Sequence, residues 1–224
     1  MSRTTERWWV SAAVGGFLVA SLTGLSGSAV AADEPETSGA GSVGAVDVVY
    51  DGEEIVVDPI AECAVPGRQT NRTSGVSVGD VARYGRATTN CRWDSAGNAL
   101  VEVAGRTFST RALVEWGGPR IRISSFTVNC QTTGNGSAAS FELRGIRGIE
   151  VPDRIPSNYT VTIPGRIEGS APLAKVVLNE LIAPSPPDGS MTLNAMRIEL
   201  FPEGGGPNSG DITVGTVACD PFGT

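Results

Sequence analysis

Apolar and polar residues alternate along much of this chain with the two-residue period of β-strands. The alternation is clearest in the second half, at Ala139, Phe141 and Leu143, at Tyr159, Val161 and Ile163, and at Ala174, Val176 and Leu178. Residues 191–201 and 212–219 are also predicted to be strands. No segment has the long apolar stripe of an amphipathic helix. The pattern therefore predicts an all-β protein.

Turn sequences separate the predicted strands. Asp51 and Gly52 join strands 45–50 and 53–57, because this dipeptide favours the positive φ angles of a type I′ hairpin turn. A second hairpin is predicted around Ala104 and Gly105. Residues 61–90 are predicted to form loops and short strands. In residues 121–130 the alternation changes parity at Ser124–Ser125, which predicts a bulge that turns the second half of the strand onto the other face.

The N-terminal residues have the composition of an export signal. Arg3 and Arg7 precede a mainly apolar stretch, and small residues at 29–32 offer a signal-peptidase site. We predict a secretory signal peptide at 1–32, a flexible acidic leader at 33–44 and one β-sandwich domain at 45–224. An uncleaved membrane anchor is the alternative for the first segment. No membrane span is expected after signal removal.

The four cysteines are predicted to form two disulfides. Cys63, Cys91, Cys130 and Cys219 all follow the predicted signal peptide, and an even number of cysteines in an oxidising compartment favours disulfides over zinc binding. Three pairings are possible. We favour Cys63 with Cys91 and Cys130 with Cys219, because the last two each end a strand-like run. The fold class is therefore an antiparallel β-sandwich, jelly-roll or immunoglobulin-like, that carries disulfides.

Composition excludes several classes of chemistry. The chain has no His, which removes Ser/His and Cys/His catalytic pairs and histidine metal sites. Lys and Arg number 17 against 24 Asp and Glu, a net charge of −7. This balance argues against nucleic acid or anionic lipid as a partner. Only one basic residue after the signal segment, Lys175, is not Arg, and we gave this skew no functional weight.

Four stretches of the second half resemble a known family. They are Thr127–Cys130, Val176–Glu180, Met191–Leu200 and Gly210–Cys219. They resemble the choice-of-anchor P family of secreted, actinobacterial-type proteins, over roughly residues 121–220. The resemblance implies an exported all-β protein with no established activity, whose relatives end in differing surface anchors. Leu181 and Arg197 depart from the family pattern, and the few residues after Cys219 resemble no anchor, so release or loose surface association is expected.

Few residues suggest a binding or catalytic site. Trp93 and Trp116 are candidates for stacking on sugar rings, although core packing is the commoner use of single tryptophans. Asn179 and Glu180 could bind a sugar hydroxyl, or could serve a structural hydrogen-bond network. No catalytic residue, metal site or cofactor is predicted.

We therefore expect a non-catalytic, secreted or cell-surface protein whose partner is a cell-wall glycan or another extracellular protein. The alternatives are a carbohydrate-binding module and, less favoured, a secreted glycoside hydrolase that uses two carboxylates. Glu150, Asp153, Glu180 and Glu199 are the carboxylates considered for that hydrolase.

Overall fold

The alternating pattern becomes a series of β-strands. The computed structural model describes residues 37–223, and fourteen strands follow one another there without a helix. The first seven are β1 (Ser38–Tyr50), β2 (Glu53–Val57), β3 (Cys63–Val65), β4 (Thr70–Thr73), β5 (Val76–Val78), β6 (Ala82–Tyr84) and β7 (Ala87–Trp93). The others are β8 (Ala99–Thr110), β9 (Ile121–Thr133), β10 (Gly136–Arg144), β11 (Tyr159–Ile163), β12 (Ala174–Ile182), β13 (Met191–Leu200) and β14 (Ser209–Asp220).

These strands form two antiparallel sheets. Sheet A has the order β11-β12-β13-β14-β1-β2, and β3 also pairs with β1. In sheet B, β9 lies between β10 and β8. The other edge of β8 pairs with β7 along its first part and with β6 along its last part. The core lies between the sheets, where β8 and β9 lie against β1 and β14. The predicted antiparallel β-sandwich is confirmed.

Both disulfides join one sheet to the other. Cys63 on β3 pairs with Cys91 on β7, with 5.7 Å between their Cα atoms. Cys130 on β9 pairs with Cys219 on β14, with 6.2 Å between their Cα atoms. The favoured pairing is confirmed. Both bonds lie at the end of the sandwich where β1 begins, because Cys63 pairs with Gly41 and Cys219 with Gly39 in sheet A.

One predicted hairpin is confirmed and the other is wrong. β1 and β2 pair from Tyr50 and Glu53 outward, and Asp51 and Gly52 between them have φ angles of 52° and 77°. At the second position β8 runs without a turn from Ala99 to Thr110. Gly105 serves packing there, because a Cβ atom on it would lie 2.2 Å from Cζ of Phe126. The short strands expected within residues 61–90 are present.

The prediction of a flexible leader over residues 33–44 is wrong for its second part. Residues 38–44 belong to β1 and pair with β14. Gly39 and Gly41 carry no side chain because the sheets approach closely there. A Cβ atom on Gly39 would lie 2.6 Å from Val101, and one on Gly41 would lie 2.8 Å from the same side chain. Low hydrophobicity in this segment therefore reflects close packing. The predicted signal peptide and residues 33–36 lie outside the described residues.

A transverse crease crosses sheet B. Along each strand buried residues alternate with more exposed ones, and this alternation shifts by one residue at the same level in neighbouring strands. The shift lies between Tyr84 and Ala87, between Gly105 and Phe108, and between Ile123 and Phe126. We call this level, marked by Gly85, Thr107, Ser124 and Gly145, the crease. The pairing of β8 with β9 keeps one register across it. The expectation that half of β9 turns to the other face is wrong, because the partner strands each carry the same additional residue and both halves of β9 face the core.

Sheet A changes parity in the same way, at Gly44 in β1, Asn179 in β12 and Gly215 in β14. The two sheets meet at this level, because the Tyr84 hydroxyl of sheet B donates to the carbonyls of Ala45, at 3.1 Å, and Thr213, at 2.8 Å. Within residues 37–223, no helix is long and apolar enough to span a membrane.

Candidate functional site

Both candidate tryptophans are engaged in packing. Trp93 is half-buried, and its indole N–H donates to the Thr37 carbonyl at 2.9 Å. Trp116 is half-buried and meets Phe201 edge-to-face at 6.1 Å between ring centroids. Its indole N–H is buried and has no partner among the described residues. Neither ring lies fully exposed as a platform for sugar stacking.

Asn179 shapes the backbone of β12 at the parity change of sheet A. Its φ angle is 53°, in the left-handed region that Asn tolerates better than most residues. Its carbonyl accepts a hydrogen bond from the N–H of Asn158 at 2.8 Å, and its side-chain amide donates weakly to the Ile155 carbonyl at 3.4 Å. These contacts give Asn179 a structural role.

Glu180 lies on the outer face of sheet A within a hydrogen-bonded network. It is 7% exposed, and Asn194 beside it on β13 is 6% exposed. One carboxylate oxygen accepts from Nε of Arg197 at 2.7 Å, and the other accepts from the Asn194 amide at 2.8 Å. The Asn194 carbonyl oxygen in turn accepts from the Thr216 hydroxyl at 2.7 Å. Both oxygens of Glu180 are therefore occupied.

Arg197 is the centre of this network. Its guanidinium also meets Asp211 at 2.8 Å and Glu199 at 3.4 Å. Burial opposes the charge of Arg197, but hydrogen bonds to Asp211 and Glu180 outweigh that cost and raise the pKa of Arg197 above its ordinary value. Glu180 and Glu199 are two of the carboxylates considered for a hydrolase, and the structure brings both, together with Asp211, around one cation. The guanidinium of Arg197 is therefore fully engaged by carboxylates, and three carboxylates around one cation leave this cluster with an excess of negative charge.

The outer face of sheet B has a different character. Its strands place arginines side by side in rows, where a row means residues paired across neighbouring strands on one face. On one side of the crease the row is Arg83, Ser109, Arg122 and Arg147. On the other side the row is Arg86, Arg106, Ser125 and Arg144, in which Arg86 and Arg106 are joined by a backbone hydrogen bond. Arg111 and Arg120 flank the first row, since both line a small cavity with Arg83 and Ser109.

We call these eight residues, Arg83, Arg86, Arg106, Arg111, Arg120, Arg122, Arg144 and Arg147, the arginine face. All eight are exposed. Among the described residues, only Arg144 of this set forms an ion pair, with Glu142 at 2.6 Å. Glu142 and Glu102 lie on the same outer face, and Asp80 lines the small cavity. A strongly basic surface therefore exists on a chain of net charge −7.

A cavity of about 450 Å³ lies beside the crease within the arginine face. The side chains of four arginines line it, together with three hydroxyl residues of the crease region. The arginines are Arg83, Arg120, Arg122 and Arg147, and the hydroxyl residues are Thr107, Ser109 and Ser124. Partial desolvation, and then the charges of Arg122, Arg111 and Arg83, lower the pKa of Arg120. The cations are thus close enough to repel one another, and an anion placed among them would relieve that repulsion.

Two acidic turns, at Asp94 and at Asp188, have structural explanations. Asp94 accepts hydrogen bonds from the backbone of Ala96 and Asn98, and Asp188 accepts two from Ser190, so both carboxylates stabilise their own turns. Over the part of the chain that the structure describes, no cluster of three acidic or cysteine side chains has the arrangement of a metal site.

Comparisons with protein families, with curated proteins and with solved structures find no match to this chain. The resemblance to the choice-of-anchor P family therefore stays a prediction, and the function is argued from the residues of this protein. Sequence reasoning missed the arginine face because its members lie on or beside four strands, β6, β8, β9 and β10, and no motif joins them. The one available signal was the skew from Lys to Arg.

Proposed function

We propose that this protein is a non-catalytic binding module that acts outside the cell and holds an anionic glycan or related polymer of the cell envelope against the outer face of sheet B. The arginine face carries the proposal. Seven of its eight arginines have no ion-pair partner among residues 37–223, although the chain as a whole is acidic. Unpaired arginines ordered by a rigid sheet present forked donors to carboxylate, phosphate or sulfate groups.

Two features typical of exported proteins support an extracellular partner. The disulfides Cys63–Cys91 and Cys130–Cys219 suit an oxidising compartment, and the first 32 residues have the pattern of a signal peptide. The resemblance to a family of secreted surface proteins points in the same direction. Outside a bacterial cell, anionic polymers are the abundant partners that a basic face can engage.

The geometry of Glu180 supports a role without catalysis. A glycoside hydrolase needs one carboxyl group that donates a proton and another that attacks or activates water. Glu180 instead uses one oxygen for Arg197 and the other for Asn194, and Arg197 also holds Glu199 and Asp211. The carbohydrate-binding alternative through Trp93 and Trp116 loses support from the packing of both rings.

Co-sedimentation with insoluble cell-wall material tests the proposal. We expect the purified, disulfide-bonded protein to pellet at low salt, to be released at high salt and to be competed away by a soluble polyanion, since the attraction is electrostatic. Replacing Arg86, Arg106 and Arg122 together by Gln should abolish pelleting. A matched variant with Gln at Arg68, Arg154 and Arg166, three exposed residues outside the arginine face, should pellet as the parent does. Failure of the parent to pellet at low salt would contradict the proposal.

A further inference from the structure

We propose that the cavity beside the crease is a specific site for a phosphate group, so that the polymer bound by the arginine face is a phosphate-bearing one. This inference rests on the proposed function and narrows its ligand class. It distinguishes one cavity, lined by Arg83, Arg120, Arg122 and Arg147, from the general positive charge of the face. Arg86, Arg106 and Arg144 across the crease belong to the face but not to the cavity.

The strand register concentrates the cavity arginines. Arg83 on β6 pairs with Ser109 on β8, Ser109 with Arg122 on β9, and Arg122 with Arg147 after β10. Three strand spacings separate Arg83 from Arg147, about 14 Å. Arginine side chains are long enough for their guanidinium groups to approach one another across this distance. The short side chain of Ser109 in the middle of the row leaves space between them. A short residue among long cations is what creates the space.

Two of these arginines are held by neutral partners. Nε of Arg83 donates to the Ser77 hydroxyl at 3.0 Å, and a terminal nitrogen of Arg120 lies 3.4 Å from the Ser109 hydroxyl. Serine fixes a direction for each side chain without neutralising its charge. A guanidinium has five N–H donors, so each arginine keeps most of its donors for a ligand. None of the residues that line this cavity is acidic, although Asp80 lines the smaller cavity together with Arg83, Arg111 and Arg120.

The number and arrangement of donors favour phosphate over carboxylate. A carboxylate is planar, has one negative charge and is satisfied by the fork of a single arginine. A phosphate group within a polymer carries about one negative charge and a terminal one up to about two, and in both the oxygens are arranged tetrahedrally and point in several directions. Cations that approach from β6, from β9, from the segment before β9 and from the segment after β10 can contact different oxygens of one phosphate. The volume of about 450 Å³ also leaves space for the group attached to it.

Two polymers and two matched variants test this inference. The probes are fluorescently labelled polyphosphate and polygalacturonate, which present phosphate and carboxylate groups, at equal ionic strength. We expect the parent protein to bind polyphosphate about tenfold more tightly than polygalacturonate, a difference of about 1.4 kcal/mol. A cavity variant with Gln at Arg83, Arg122 and Arg147 should lose this preference. The matched variant with Gln at Arg86, Arg106 and Arg144 should bind both polymers more weakly by similar factors and keep the preference.

Competition with inorganic phosphate tests whether the site recognises the phosphate group itself or only the charge of the polymer. We expect inorganic phosphate to displace polyphosphate from the parent protein more effectively than chloride at the same ionic strength, and to show no such advantage on the cavity variant. Equal losses in the two variants, or equal affinity of the parent for both polymers, would overturn the phosphate site while leaving a general anion-binding face. Absence of binding to either polymer would instead overturn the proposed function. Thermal unfolding of both variants checks that these exposed substitutions leave the fold intact.

Discussion

The outer faces of the two sheets use charge in opposite ways. On sheet A, Arg197 contacts Glu180, Glu199 and Asp211, and the network is closed by hydrogen bonds to Asn194. On sheet B, exposed arginines lie in rows. Arg83 and Arg120 donate to serine hydroxyls, and among the described residues only Arg144 of the arginine face contacts a carboxylate. Both faces are built on the same kind of antiparallel strand. The difference is therefore in the partners of each charge and not in the backbone.

This contrast separates charges that stabilise the fold from charges that are available to a ligand. A partly buried ion pair is costly to break because it leaves its partner desolvated. An exposed arginine without a carboxylate contributes little to the free energy of unfolding and can even oppose folding by repulsion. We therefore expect substitutions on sheet A to change stability and substitutions on sheet B to change binding.

The largest expected effect on stability comes from the disulfide Cys130–Cys219, and it should leave the arginine face intact. Replacing both cysteines by Ser should lower the free energy of unfolding by about 4.6 kcal/mol at most, from the loop entropy of its 89-residue separation. Cys130 lies roughly 26 Å along β9 from Arg122, so polyphosphate binding should persist while the variant is folded.

Urea unfolding and polyphosphate titration of the same sample measure the two quantities. The pair Cys63 and Cys91, replaced in the same way, is the control and should cost less, about 3.6 kcal/mol, because its separation is 28 residues. A folded variant without affinity for polyphosphate would show that the two ends of the sandwich are coupled.

Arg197 and Arg122 form the most direct pair for the comparison. Arg197→Met should lower the free energy of unfolding by about 2–3 kcal/mol, because it leaves Glu180 buried with a single hydrogen bond. Arg122→Met, on sheet B, should change it by less than about 0.5 kcal/mol. Chemical denaturation measures both. Adding Glu180→Gln to Arg197→Met should recover part of the loss, and equal costs for the two single variants would remove the distinction between the faces.

Asn179 tests whether the outer face of sheet A owes its shape to backbone conformation. Asn179→Ala should cost about 1–2 kcal/mol, because Ala disfavours the left-handed conformation at φ 53°. Asn179→Gly should be close to neutral, since Gly adopts this conformation freely. Thermal unfolding of the pair measures the difference. If both variants lost the same stability, the side chain of Asn179 would matter more than its backbone.

The smallest expected effect on stability comes from the titration of Tyr50. Burial, followed by the hydrogen bond from its hydroxyl to Glu115, raises the pKa of Tyr50 to about 12. The raised value favours the neutral phenol in the folded state, so its contribution to stability is complete below about pH 10 and is lost as the pH rises through about 12. Ultraviolet titration should show this late step, and Tyr50→Phe should remove it.

Glu115→Gln is the control for Tyr50. It should lower the pKa of Tyr50 only in part, because burial is the larger cause. A complete return to the ordinary value would mean that the contact with Glu115 dominates. This contact joins the end of β1 to the segment after β8, at the end of the sandwich that has no disulfide.

Local signals in the sequence predicted much of the fold. Asp51 and Gly52 have a conformational preference that few other dipeptides share, and the hairpin follows from it. Gly105 shows where such reasoning ends. A glycine in a strand can mark a turn or make room for a neighbour, and only the position of Phe126, which pairs with Gly105 from the adjacent strand β9, decides between them. The same ambiguity made Gly39 and Gly41 look like part of a leader.

The candidate site was beyond sequence reasoning for a different reason. Arg83, Arg122 and Arg147 have no motif in common, and their proximity depends on the pairing of β6, β8 and β9. Net charge does not reveal the site either, because a total of −7 says nothing about where the cations lie. Asn179 and Glu180 stand out in the sequence as polar residues in a strand, but their hydrogen-bond partners give them structural roles.

The separation of charge between the sheets gives the molecule an electric dipole moment across its thickness. Glu199, Asp211 and Asp47 lie side by side on sheet A, while the arginines lie on the opposite surface. Near a negatively charged wall this dipole exerts a torque that turns sheet B inward, within about 10 Å of the wall at 0.1 M salt. The protein would thus arrive already oriented, with sheet B toward the wall and the acidic sheet facing away from it.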